Sequence, residues 1–297
     1  MADLALADRR RGLALMIAGV LAITPDALLI RLIGLPPWPL LFWRGALIAG
    51  ALSVMLILIH RRETARVVRS IGRVGLGAAC CFTLSTTAFV IAVSETGVAN
   101  TLIAVAAAPL IAALLSRIFL HERLPRRTWI AIAAVLVGIF VMVASSIGAP
   151  RLAGDLAALA CAVGLAGSLV LIRRNRSVSM IPAMAVSAAL TAALGLAIGG
   201  VVVPGPRGLA ALGLMCLVLM PFGQAMIATG PRYLPAPDVA LVILMETVLG
   251  PYWAWLVIDE TPAPAVMLGG AVVLGALTWH AVAGRASPQA SARRSPS

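Results

Sequence analysis

Three ionisable residues, well away from the segment ends, stand out inside apolar stretches of the sequence, where an ionisable side chain is costly and therefore suggests a function. Asp26 follows Pro25 in the first apolar stretch, Arg44 lies in the second, and Glu246 lies near the middle of a late one. A charged side chain at the bilayer centre costs about 2.5–3.5 kcal/mol on insertion scales. A carboxylate and a guanidinium together could bind a zwitterion, and a lone carboxyl group could carry a proton.

Asp26 and Arg44 are predicted at matching depths. At 1.5 Å per helical residue, Asp26 lies ~10 Å and Arg44 ~9 Å below the same membrane face, at the end of the first helix and the start of the second. Pro25 interrupts the backbone bonding of its helix, and carriers bind substrates where broken helices line a cavity. We therefore expect the two side chains to face each other. They would form either a substrate-binding pair or a permanent ion pair that joins two helices.

Glu246 is the predicted proton-coupling residue, with Asp26 as the second one. It lies ~15 Å from either end of its helix, and no cation is within helical reach on that helix. The alternative is a neutral, hydrogen-bonded glutamate in a polar seam. Gln224 and Trp43 are further predicted substrate contacts. The alternative for Gln224 is interhelical hydrogen bonding, and that for Trp43 is core or lipid-facing packing.

The composition is that of an integral membrane protein. Of 297 residues, 61% are hydrophobic and 11% charged, whereas a soluble domain carries roughly 25% charged residues. The net charge of +12 comes from arginines in short clusters between apolar runs, which argues against nucleic-acid binding. The four cysteines lie in apolar runs without a CxxC motif, so we predict no metal site and no cofactor.

Ten apolar segments are long enough to span a bilayer. They are 13–33, 38–59, 72–93, 97–119, 128–146, 154–172, 182–203, 208–229, 236–257 and 264–283. The short links leave no room for a soluble domain. Residues 1–12 are predicted to be a cytoplasmic segment, and residues 284–297 a disordered cytoplasmic tail, since they are rich in Ser, Pro, Ala and Arg.

Arginine positions predict the orientation. With the N-terminus inside, 18 of the 23 arginines fall on the inner side and 3 on the outer side, and Arg44 and Arg117 lie within helices. The positive-inside rule therefore places both termini in the cytoplasm.

A helical hairpin occurs twice, at 98–143 and at 239–282, and Glu122 and Glu260 occupy equivalent turns. We expect these two glutamates to fix the architecture of the turns. The repeats are predicted at 13–146 and 154–283. Each holds five helices, an odd number, so the two repeats must insert with opposite orientations. The predicted fold is an all-α integral membrane protein of ten transmembrane helices in two inverted five-helix repeats.

The hairpin turns FLHER and VIDET, the ten helices and Arg44 early in helix 2 resemble the EamA-type family of the drug/metabolite transporter superfamily. The resemblance implies a secondary transporter that exports small organic metabolites, amino-acid-like or drug-like. We expect an inner-membrane protein, a monomer or homodimer, that works by alternating access and is either coupled to protons or driven by the substrate gradient. An uptake carrier for a vitamin or nucleotide-like metabolite is the alternative. The absence of a Walker motif argues against the use of ATP. An intramembrane enzyme is disfavoured because no HExxH, no GxSxG and no paired acids at catalytic spacing occur, and a receptor is the other disfavoured alternative.

Overall fold

The computed structural model describes residues 2–61, 71–121, 124–144, 151–174, 180–229, 233–234 and 236–292. All regular elements in these ranges are helical. The helices are helix 1 (Ala2–Ile23 and Asp26–Ile33), helix 2 (Pro37–His60), helix 3 (Gly72–Glu95), helix 4 (Val98–Ala106 and Ala108–Phe119), helix 5 (Arg126–Ala144), helix 6 (Leu152–Arg174), helix 7 (Met180–Gly199), helix 8 (Pro206–Gly213, the π-helical Leu214–Leu219, and Met220–Thr229), helix 9 (Ala236–Ile258) and helix 10 (Pro264–Ala292).

These helices make a ten-helix, all-α membrane protein. In the described ranges nine helical spans are long and apolar enough to cross a bilayer, and helix 9 contributes the shorter apolar stretch Val242–Ile258. A bilayer offers the backbone no hydrogen-bonding partners, so helices that satisfy their own backbone groups are the stable form of such apolar sequences. Large apolar side chains such as Leu58, Phe140 and Val203 are exposed on the outside of the bundle, as lipid contact requires.

The helix limits follow the predicted segments closely, and the largest differences are at the chain ends. Helix 1 begins at Ala2, within the predicted N-terminal segment, and helix 10 continues to Ala292, although the sequence predicts a disordered tail from residue 284. Both extensions lengthen an existing helix, which avoids the cost of nucleation, and Ala and Arg are good helix formers.

Prolines interrupt two of the helices. Helix 1 stops at Ile23 and restarts at Asp26 because Pro25 has no N–H to donate to the Leu21 carbonyl. The Thr24 hydroxyl donates to that carbonyl instead, at 3.0 Å. Helix 4 is interrupted at Ala107, just before Pro109. Both bends therefore have an identifiable backbone cause.

The packing of the helices follows an inverted repeat. Helix 2 packs along helix 7, helix 5 along helix 10 and helix 4 along helix 9, so each of these pairs joins equivalent helices of the two halves. Helix 3 packs along helix 6 and helix 1 along helix 8, and these two pairs exchange under the same two-fold operation. Small residues permit the closest approaches: a Cβ on Gly45 of helix 2 would lie 2.5 Å from the Ala192 nitrogen of helix 7.

Candidate functional site

Asp26 and Arg44 form a buried, bidentate ion pair between helices 1 and 2. The two guanidinium nitrogens donate to the two carboxylate oxygens, with distances of 2.6 Å to Oδ1 and 2.9 Å to Oδ2. Each residue is 7% exposed. Asp26 is in the first turn of the outer half of helix 1, where the break at Pro25 frees helix 1 to change direction. The bidentate geometry fixes the orientation of both side chains.

Sulfur atoms from helix 8 surround the guanidinium. Arg44 lies 3.5 Å from Met215 Sδ and 3.9 Å from Met220 Sδ, and its Nε is buried without a hydrogen-bond partner. Met215 belongs to the π-helical segment of helix 8, and such segments are frequent at functional sites. The two methionine side chains can adapt to a ligand of irregular shape, because methionine is flexible and its thioether is polarizable.

Glu246 faces this pair from helix 9. Its carboxyl group interacts electrostatically with the Asp26 carboxylate and with the buried thiol of Cys161 on helix 6. The side chain is half-buried, and among the described residues it has neither a hydrogen-bond nor an ion-pair partner. Two turns further along helix 9, Trp253 donates its indole N–H to the Thr24 hydroxyl at 3.1 Å, which ties helix 9 to the bend of helix 1.

The other predicted substrate contacts are less central. Trp43 is half-buried, and its indole N–H donates to the Val202 carbonyl at 2.8 Å, in the link between helices 7 and 8. The Gln224 side chain is exposed on helix 8. The described contacts of Arg44 and Asp26 include neither residue, so for Gln224 and Trp43 substrate contact stays a prediction.

Glu260 joins the two repeats at the membrane surface opposite the N-terminus. The arginine distribution predicts that this is the outer surface. The Glu260 Oε2 lies 3.4 Å from an Arg31 nitrogen of helix 1, and its Oε1 accepts the Val98 N–H at the start of helix 4, at 2.7 Å. Arg31 also donates to the Ser94 carbonyl, at 3.2 Å. We name Arg31, Glu260 and Val98 the outer clasp. The equivalent Glu122 lies outside the described residues.

A second buried carboxylate, Asp155, was missed at the sequence level. Its Oδ1 accepts hydrogen bonds from the Thr96 hydroxyl and from the Asn100 amide, the latter at 2.9 Å. Asp155 is the second residue of a predicted segment, where an acidic residue is commonly interfacial, so its position in the sequence does not indicate burial. Its partners come from helices 3 and 4, and no local spacing in the sequence indicates that contact.

The described residues contain no group of three or more His, Cys, Asp or Glu side chains that could hold a metal ion. The buried thiols have other neighbours. Cys161 lies 3.4 Å from the Ser85 hydroxyl, and Cys216 lies within electrostatic range of Arg44. The centre of the bundle is therefore a site of ionic and hydrogen-bonding groups from helices 1, 2, 3, 6, 8 and 9.

A bundle of ten apolar helices around buried charged groups defines a multi-pass membrane protein with an internal polar site, which is the class to which carriers belong. Residues 10–144 match the model of the EamA-like transporter family, which is part of the drug/metabolite transporter superfamily. Over these residues, a little under half of the chain, it is similar to that family of membrane transporters.

The fold has a counterpart among solved structures. One crystal structure aligns with a TM-score of 0.63 at 20% sequence identity, covering 94% of this chain and 99% of the other. At that identity the likeness shows a shared fold. No curated protein matches the sequence significantly.

Proposed function

We propose that the protein is an inner-membrane secondary transporter that exports small amine-bearing organic metabolites, chiefly amino-acid-like zwitterions, by alternating access. The observation that carries this proposal is the buried Asp26–Arg44 pair facing the unpaired carboxyl group of Glu246. A small-molecule carrier of this family needs a central site that holds charge within the bilayer, and these three residues supply it.

The charge balance of the site favours an amine. Two carboxyl groups face one guanidinium, so the site is anionic when both carboxyl groups are ionised. An ammonium group can bind between Glu246 and Asp26, while a substrate carboxylate takes the guanidinium of Arg44 through the same bidentate geometry that Asp26 uses. Met215 and Met220 offer adaptable apolar contact for the substrate side chain.

The same charges suggest proton coupling. A substrate ammonium and a proton would compete for Glu246, so the carboxyl group could bind only one of them at a time. Exchange of an outgoing amine for an incoming proton would then be driven by the proton gradient.

Proteoliposome counterflow tests the proposal. Vesicles with the purified full-length protein would be loaded with a panel of neutral amino acids, each accompanied by analogues that lack either the amine or the carboxylate. We expect the zwitterions to exchange fastest and an imposed pH gradient to drive their accumulation. The Glu246→Gln variant should exchange substrate more weakly, because it lacks one of the two carboxylates that bind the ammonium. It should also lose the response to the pH gradient, because glutamine binds no proton.

An exposed glutamate provides the matched control. Glu95→Gln, at the outer end of helix 3, should respond to the pH gradient as the wild type does. Equal exchange of the amine-free acids would contradict the proposed substrate class. An unchanged pH response in Glu246→Gln would contradict the proposed coupling residue alone.

A further inference from the structure

Arg117 is an arginine inside a membrane-spanning helix that the central site does not use. It lies two residues before helix 4 ends at Phe119, and its side chain is exposed, as are those of Ile118 and Phe119. A guanidinium on the surface that lipid covers is costly unless its flexible stem carries it to the headgroup region. We therefore expect an anionic partner for Arg117 at the membrane surface.

A second exposed arginine lies where helices 4 and 5 meet. Leu110 and Leu114, seven and three residues before Arg117, pack in one core cluster with Ala131 of helix 5. Residues at these spacings share a helix face, so Arg117 lies on the side of helix 4 that faces helix 5. Helix 5 begins at Arg126, which is exposed. Arg117 and Arg126 are therefore at the same end of two neighbouring helices, and we name them the inner arginine pair.

The chain around the inner arginine pair has a surplus of positive charge. From residue 117 to residue 127 the sequence carries four arginines and one glutamate, and helices 4, 5 and 10 carry no acidic residue. Glu122, in the link, lies outside the described residues, and it offsets the charge of one arginine at most. Within the described ranges neither Arg117 nor Arg126 forms an ion pair with a carboxylate. A net positive charge therefore remains at this surface.

The equivalent hairpin of the second repeat shows that the turn itself does not require arginines. Residues 255–265, at the opposite membrane surface, contain two acidic residues and no basic one. At the offset that relates Glu122 to Glu260, the exposed Trp255 takes the place of Arg117. A tryptophan suits an interfacial position without any charge. The positive charge is thus particular to one of the two surfaces.

An exposed apolar stripe on helix 5 runs from the inner arginine pair into the bilayer. Trp129 follows Arg126 by about one turn, and Leu136 and Phe140 continue the same helix face. All three side chains are exposed. Tryptophan favours the headgroup level of a bilayer, and the stripe from Trp129 to Phe140 is roughly 16 Å long at 1.5 Å per residue. Charge, an interfacial ring and an apolar stripe follow one another in the order of the parts of a phospholipid.

We propose that the inner arginine pair binds the phosphate of an anionic phospholipid, with Trp129 beside its glycerol region and its acyl chains along Leu136 and Phe140. A headgroup with a net negative charge is preferred over a zwitterionic one, because the surplus of guanidinium groups repels the ammonium of a zwitterionic headgroup. This lipid site is separate from the central site and does not depend on the proposed transport reaction.

Native mass spectrometry of the full-length protein in detergent tests this proposal. The protein would be titrated with phosphatidylglycerol and with phosphatidylcholine of the same acyl chains. We expect phosphatidylglycerol to bind more tightly. In Arg117→Gln/Arg126→Gln its affinity should fall by about 30-fold, since each arginine near an anionic lipid surface contributes about fivefold. Equal affinity of the wild type for the two lipids would overturn the proposal.

Two exposed arginines elsewhere on the same surface provide the matched control. Arg10→Gln/Arg73→Gln removes the same charge from helices 1 and 3, which pack mainly on helices 8 and 6, and it should bind phosphatidylglycerol as the wild type does. Equal weakening in both double variants would mean that the surface charge acts without a defined site, and would overturn the proposal. Displacement of the lipid by free glycerol 3-phosphate would also overturn it, because the ligand would then be a soluble phosphate.

A single substitution keeps the test decisive if Arg117→Gln/Arg126→Gln fails to fold. Arg117→Gln alone should weaken the binding of phosphatidylglycerol by about fivefold, and Arg117→Lys, which keeps the charge, should restore most of the affinity. Unchanged affinity in Arg117→Gln would count against the inner arginine pair as the lipid site.

Discussion

Asp26 and Arg44 are buried at the centre of the bundle, where each charged group requires the other as its counter-charge. A buried ion pair contributes little net stability, since desolvation of both charges offsets their attraction, but removing one partner leaves an unpaired charge in a medium of low dielectric constant. The pair therefore makes helices 1 and 2 depend on each other. Whether it also binds substrate is a separate question, which single substitutions cannot answer because they disturb the fold and the site together.

A comparison of single and double variants separates the two roles. Asp26→Leu or Arg44→Met alone should lower the free energy of unfolding by about 3–5 kcal/mol, whereas the double variant should be near wild-type stability, because both charges are then absent. We expect the double variant to fold, to insert in the membrane and to transport nothing. Thermal unfolding in detergent and proteoliposome exchange are the two measurements. If the double variant exchanged substrate at the wild-type rate, the pair would serve only to join helices 1 and 2.

The geometry of this pair could be predicted from the sequence, and that of Asp155 could not. Asp26 and Arg44 lie on consecutive helices, so the fixed rise per residue places them at similar depths below the same surface. Asp155 depends on Thr96 and Asn100, which are 59 and 55 positions away along the chain. Its position follows from how helix 6 packs against helices 3 and 4, and that register depends on side-chain packing throughout the bundle.

Two of the helix interruptions coincide with prolines in the sequence, whereas Pro251 lies inside the uninterrupted helix 9. Pro25 and Pro109 each remove a backbone donor, and the helix is interrupted at or just before each of them. The π-helical segment Leu214–Leu219 has no such marker, although it carries Met215 to the guanidinium of Arg44. An extra residue in one turn is favoured by tertiary contacts, so a local pattern does not indicate it.

Gly97 controls the start of helix 4. Its φ of 121° is open to glycine but strained for other residues, and an added Cβ would lie 2.6 Å from Glu260 Oε1. Gly97→Ala should therefore cost about 1–3 kcal/mol through the backbone and more through displacement of Glu260. Gly200→Ala is the matched control, because Gly200 also has a positive φ, of 64°, but has no atom within 4 Å of the added Cβ.

Thermal unfolding of the purified variants measures the difference. We expect Gly97→Ala to lower the midpoint clearly more than Gly200→Ala does. An equal decrease of the unfolding midpoint in both variants would mean that Glu260 moves away from the added Cβ at no cost in stability. The contact at the start of helix 4 would then not position the glutamate.

Across the whole molecule, the two halves meet at equivalent contacts that differ in chemistry. The packing of Gly12 on the helix 8–9 link and of Gly154 on the helix 3–4 link relates the two ends of the bundle by the inverted repeat. Inverted repeats allow a carrier to expose one site alternately to each side by exchanging the conformations of its halves. In the described residues the outer end is held by ionic contacts of Glu260, while Arg11 stacks over the Tyr233 ring at the inner end, with 5.7 Å to the ring centroid.

If the outer clasp keeps the outer side closed, removing it should shift the conformational equilibrium towards the outward-open state. Glu260→Ala removes a helix cap worth about 1 kcal/mol and a partly exposed ion pair worth roughly 0.2–1 kcal/mol, which together correspond to about a tenfold change in population.

Cys216, buried next to Arg44, reports on that change when the other three cysteines are replaced by alanine. A membrane-impermeant thiol reagent added outside should label Cys216 about ten times faster in Glu260→Ala. Asp259→Asn, an exposed neighbour in a left-handed conformation that asparagine tolerates, should label at the parent rate. Equal labelling of all three proteins would mean that the clasp ties the repeats together without controlling access to the centre.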